Sequence, residues 1–178
     1  MRQGLYSKML WSARGVEDDV AVANVVAAFE EEYKPEAVFI DMGGGTGVVS
    51  AGKAMGHKNW LLVSFAEASS KNGILNKRAE MYYDAKDHMK NGGAIPDDPI
   101  LAAQLAAPQR KGRLDGKECL EDKEEIIKRT GESPGRADAY ILTFAHPVVA
   151  RSERERRKIS SLGKKKTWDP LTWKPGKK

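Results

Sequence analysis

Residues Val38 to Ser50 read Val-Phe-Ile-Asp-Met-Gly-Gly-Gly-Thr-Gly-Val-Val-Ser, and no other stretch restricts the fold as tightly. A short apolar run of this kind reads as a buried, parallel-type strand. The acid at its carboxyl end sits where open α/β sheets place their ligands, which makes Asp41 the first candidate for chemistry. The glycines admit two readings. They let backbone amides approach an anion or cofactor at the start of the next helix, or they allow a tight turn with positive φ.

The flanking sequence supplies a βαβ-like setting. A helix is expected over 18–33, with Glu17, Asp18 and Asp19 as helix N-terminal chemistry and Pro35 as its stop. A strand over 37–41, a helix over 47–55 and a second core strand over 60–65 follow, so the two strands should pair in parallel. Upstream, residues 4–11 partly alternate and suggest an opening strand.

Downstream, a helix over 75–90 turns Leu75, Ala79, Tyr82 and Tyr83 to one side and Lys77, Arg78 and Glu80 outward, and Asn91-Gly92-Gly93 ends it. A short helix from Pro99 to Ala107 and a Gly/Lys/Arg-rich loop or hairpin over 108–116 come next. Glu121 to Arg129 is a charged helix anchored by Ile126 and Ile127 and closed at Gly131. In the last helix, to about Ala145, Ser133 is the expected N-cap and Pro134 the first residue. Asp138 stands out on that helix: it lies between Ala137 and Ala139 near the first turn, either facing solvent under the helix dipole or serving a site.

Length and charge bound the rest. The 178 residues suit one domain, residues 1–150, with an appendage over 151–178. No apolar run approaches the roughly 20 residues of a membrane span, and no signal-peptide core opens the chain, so a cytoplasmic location without membrane contact is expected. One cysteine excludes an internal disulfide, and the three scattered histidines disfavour a histidine metal site. Any metal would be held by carboxylates. The net charge of +5 is uneven: residues 151–178 carry eleven Lys or Arg against three acids, a net of +8, which leaves −3 for residues 1–150. A basic arm on an acidic body suits a protein that holds a polyanion and keeps acids for a metal. A solubilising, disordered tail has the same composition.

Four segments in order carry a resemblance. Phe39 to Gly47, Asn76-Lys77-Arg78-Ala79-Glu80-Met81, Lys123 to Arg129 and Ser133 to Ala145 resemble the nuclease domain of the large terminase subunit of tailed bacteriophages and prophages, over about residues 3–148. That resemblance implies an α/β, RNase H-like mixed sheet flanked by helices, in which acidic residues hold Mg²⁺ or Mn²⁺ and cut double-stranded DNA during genome packaging. It matches Asp41 to the second catalytic acid and Asp138 to the last, both as metal ligands. Two divalent ions about 4 Å apart activate water and steady the leaving oxygen, which takes several carboxylates.

The sequence departs from the family's pattern in three ways. The family's first acidic residue, on a strand before residues 4–11, has no counterpart here, and Gly135 stands where the last motif usually has another Asp. The isolated chain is then expected to bind metal weakly and to cut DNA poorly unless another acid, such as Glu67 or Asp84, completes the cluster. No Gly-x-x-x-x-Gly-Lys-Ser/Thr motif is present, so the terminase ATPase, like other terminase or portal components, is expected on other chains as a partner. Arg151, Arg154, Arg156, Arg157, Lys158, Lys164, Lys165 and Lys166 are the expected DNA contacts. Two further readings stand beside this one: an S-adenosylmethionine-dependent methyltransferase, with Glu67 on the ribose, and an inactive prophage remnant that binds DNA through its tail.

Overall fold

The structure, a computed structural model, describes residues 1–149, and Met1–Val148 form one compact unit. The eight basic tail residues expected to contact DNA lie outside the described residues.

At the centre lie β3 (Val38–Asp41) and β4 (Trp60–Val63), paired in parallel with Asp41 opposite Val63 and joined by helix α2 (Met42–Ala54). Their side chains alternate between two cores, as the pleat requires. Val38, Ile40, Trp60 and Leu62 pack with Ala23, Val48 and Val49, beneath α2 and helix α1 (Asp19–Tyr33). Phe39 and Val63 pack on the opposite face with Met81, Ala137, Tyr140 and Ile141. Within the acidic run expected at the start of α1, Asp18 is the cap, accepting from Val20 N and Ala21 N.

The glycines do not form a turn. Gly43, Gly44, Gly45 and Gly47 all lie inside α2, which begins directly after Asp41, and none has positive φ. Their reason is close packing. A Cβ on Gly45 would run into the Ile40 side chain, and one on Gly47 into the Asp19 carboxylate. Glycine here lets α2 lie tightly against β3 and the start of α1.

The second core is built by helices α3 (Lys77–Lys90), α4 (Pro99–Ala106) and α6 (Gly135–Ile141), the last continued by a 3₁₀ turn over Leu142–Phe144. Met81, Leu101 and Ile141 are fully buried in it, each contributing about 1.5–3 kcal/mol by its transfer from water. Ser133 is not the cap of α6. It is exposed, and Gln104 reaches over from α4 to accept from Arg136 N at 2.8 Å and Ala137 N at 3.2 Å. A cap supplied by another helix leaves no mark in the local sequence.

Two antiparallel ribbons complete the unit. β1 (Arg2–Gln3) pairs with β2 (Tyr6–Ser7), so the strand expected over 4–11 is instead a hairpin that turns at Gly4 and Leu5. Arg2 pins it to the 3₁₀ turn by donating to Thr143 O at 2.8 Å while lying 4.3 Å above the Phe144 ring. β5 (Arg110–Gly112) pairs with β6 (Glu118–Leu120) where a loop or hairpin was expected, followed by α5 (Lys123–Thr130), which ends at Gly131. Only one of the two expected anchors of α5 is buried: Ile126 is 1% exposed and Ile127 39%. The sheet expected as one mixed array is thus distributed over one parallel and two antiparallel pairs.

Candidate functional site

Asp41 ends β3 and caps α2, its Oδ1 accepting from Gly43 N at 3.0 Å. The half-buried carboxylate shares with Phe39 the sheet face against which α6 packs, because residues two apart on a strand point the same way. β3 touches the 3₁₀ turn that continues α6, and the Phe39 ring lies 5.6 Å from the His146 ring just beyond it, tilted by 58°.

Asp138 is not the solvent-facing acid that one reading of its helix suggests. It is 6% exposed, on the buried side of α6 with Ala137, Tyr140 and Ile141. Its Oδ1 accepts from the Tyr82 hydroxyl at 3.5 Å. Lys123 Nζ lies 3.0 Å from Oδ2 as an ion pair, yet Oδ2 has no aligned hydrogen-bond donor. A buried, ionisable oxygen without a hydrogen bond is costly and calls for a compensating cation. Lys123 itself is nearly half exposed, at the first position of α5.

Lys123 escaped the sequence reading, although a signal was present. A lysine on the first turn of a helix sits at the positive end of the dipole, where it is unfavourable unless something else holds it. Here the holder is Asp138.

Glu67 and Asp84 do not complete a cluster with these acids. They line a cavity of about 580 Å³ with Lys71, Lys77, Glu80 and His146, where Asp84 is ion-paired to Lys71 and Glu67 is exposed. Among the described residues, no three His, Cys, Asp or Glu side chains converge as a metal-holding group. The donor chemistry therefore fits a divalent cation at Asp138 only in part: one buried carboxylate oxygen lacks a hydrogen bond, and the Lys123 ammonium already sits beside it.

Glu80 is the opposite case from the one expected. Lys77 and Glu80 are not outward-facing but 7% and 3% exposed, joined at 2.7 Å. Glu80 also accepts from Ser69 Oγ at 2.7 Å, Ser70 N at 2.6 Å and Ser70 Oγ at 3.0 Å. Burial would raise its pKa, but the hydrogen bonds from Lys77, Ser69 and Ser70 outweigh it and bring the carboxyl down to about 2.

No family model and no curated protein matches the chain. Solved structures do. A point mutant of the nuclease domain of the large terminase subunit gp2 of bacterial virus Sf6, with manganese, superposes with a TM-score of 0.64 at 21% identity, over 83% of this chain and 81% of that one. The unsubstituted domain gives 0.54 at 23% identity, over 71% and 72%. The mutant with calcium gives 0.54 at 21%, over 71% of each. The chain has the RNase H-like fold of a terminase nuclease domain.

Proposed function

We propose that this chain is a metal-dependent DNA endonuclease domain of the terminase type, with Asp138 and Asp41 as metal ligands. The observation that carries the reading is the buried Asp138 carboxylate with Oδ2 free of hydrogen bonds beside Lys123, in a fold shared with a nuclease domain whose solved forms include manganese and calcium. Mn²⁺ or Mg²⁺, when bound, would activate water and neutralise charge on the scissile phosphate.

The chain's own residues have distinct tasks. Asp138 offers Oδ2 to the cation. Asp41, the second proposed ligand, ends β3 with its Oδ1 held by Gly43 N. Lys123 balances the charge of Asp138, and its ammonium, on an exposed stem, would be available to a phosphate oxygen if a cation took its place at Oδ2. Double-stranded DNA is the proposed substrate, gripped by the basic residues from Arg151 to Lys166. The glycines of α2 do not favour the methyltransferase reading, because a helix replaces the cofactor-cradling turn.

Cleavage of duplex DNA with Mn²⁺ by wild type, Asp41→Ala and Asp138→Ala tests the reading. Activity in wild type and its loss in both variants are expected, whereas equal rates in all three would remove the ligand assignments. Deleting residues 151–178 should flatten the fall of DNA affinity with salt, if the tail holds the phosphates.

A further inference from the structure

The first sixteen residues differ in kind from the rest of the body. They hold Arg2, Lys8 and Arg14 and no acid, a net of +3, which leaves −6 for residues 17–150. They also expose Leu5, Tyr6, Met9, Trp11 and Val16, with Tyr6 58% and Trp11 46% accessible. Single exposed apolar side chains are ordinary, but five within twelve residues form a run.

The fold holds this run in the open. Ser7 is 4% exposed, so its neighbours Tyr6 and Lys8 point outward, as alternation along an extended chain requires. Residues 8–18 join no helix or strand, and every residue from Trp11 to Val20 is exposed. Arg2 anchors the hairpin through Thr143, which leaves Lys8 and Arg14 as the available cations. Among the described residues neither is ion-paired with an acid, and Lys8 Nζ lies 5.8 Å from the centroid of the Tyr33 ring. The acids Glu17, Asp18 and Asp19 begin only where α1 does, and Asp18 is used as its cap.

Charge decides among partners. An apolar protein surface would meet the apolar side chains and gain nothing from cations kept clear of acids. Nucleic acid supplies flat base faces together with phosphates, which suits exposed rings interleaved with Lys and Arg. In a duplex the base faces are covered by their neighbours, so exposed rings select a single strand.

We propose that residues 6–14 form a platform for single-stranded DNA, with Tyr6 and Trp11 stacking on bases and Lys8 and Arg14 holding phosphates. The proposal rests on DNA being the substrate of this chain. Its consequence is that the chain engages separated strands through a surface distinct from its basic tail.

Fluorescence anisotropy of labelled oligothymidine and of a labelled duplex of equal length, titrated with the full chain in the absence of divalent metal, tests it. Trp11→Ala should weaken oligothymidine binding at least about fivefold, the loss of one base–ring stack, while Trp11→Phe stays near wild type. Duplex affinity and melting temperature should be unchanged in both. Lys8→Gln combined with Arg14→Gln should flatten the fall of log affinity for oligothymidine with log salt by about 1.4, as two phosphate contacts are lost. If Trp11→Ala binds oligothymidine as wild type does, or loses duplex affinity to the same degree, the platform is overturned and the DNA reading survives. If wild type binds neither DNA, both fall.

Discussion

Glu80 and Asp138, two of the buried acids among the described residues, are treated in opposite ways. Glu80, 3% exposed, accepts four hydrogen bonds from Lys77, Ser69 and Ser70. Asp138, 6% exposed, has one long contact from Tyr82, and its Oδ2 meets only an unaligned lysine. Both carry the cost of leaving water, but only Glu80 recovers it within the chain. A saturated acid such as Glu80 ties the 64–76 loop to α3, whereas an unsaturated one keeps capacity for something from outside. Burial alone therefore does not tell the two carboxylates apart; unmet bonding capacity does.

The contrast is broken most sharply by exchanging what each acid loses. Asp138→Ala should reduce Mn²⁺-dependent cleavage on the order of 100-fold or more, because a metal site supplies several kcal/mol of transition-state stabilisation. Its melting temperature should hold or rise, since the substitution removes an oxygen with no hydrogen bond. Glu80→Ala should do the reverse and destabilise by about 3–5 kcal/mol, leaving Lys77 buried without its partner, while the folded fraction still cleaves. Thermal melts and rates normalised to folded protein check both; an Asp138→Ala that unfolds and a Glu80→Ala that stays stable would dissolve the distinction.

Acid adds a second test, in which the sign is fixed. Glu80 has a folded pKa of about 2, lowered from 4.5, so its contribution is fully present above pH 4.5 and disappears as pH falls toward 2. The amount at stake is ~3 kcal/mol. Denaturant titrations between pH 6 and pH 2 should show that loss in wild type and a smaller one in Glu80→Gln.

How much of this was legible follows from where the partners lie. The parallel pair β3–β4, the cap at Asp18 and the close of α5 at Gly131 depend on neighbours in sequence, and local pattern finds them. Asp138 was marked because an acid interrupts an apolar helix, and Asp41 because it ends an apolar strand. The burial of Lys77 and Glu80 was not legible. Charges three apart on a helix normally face water, and the seryl donors that draw Glu80 inward come from a loop 10 and 11 residues upstream. Gln104 capping α6 across 32 and 33 residues is hidden for the same reason. Long-range hydrogen bonds decide which acids are satisfied, and periodicity does not carry them.

The glycines beside Asp41 give the smallest but most discriminating effect. If they existed to let a ligand approach the backbone, the exposed Gly44, which has open space around it, would be the most sensitive position. If they exist for packing, Gly45 is, because it lies against Ile40 on the strand that carries Asp41. Gly45→Ala should therefore destabilise by about 1–3 kcal/mol through overpacking, and it should lower cleavage by shifting Asp41. Gly44→Ala should stabilise by about 0.5–1 kcal/mol, the difference in helix propensity, with cleavage unchanged. The reverse order, a stable Gly45→Ala and an inactive Gly44→Ala, would return the glycines to the ligand and place a phosphate or cofactor at the start of α2. With the expected order, Asp41 owes its place to tight contact between helix and strand, whereas Asp138 is set apart by a hydrogen bond left unmade.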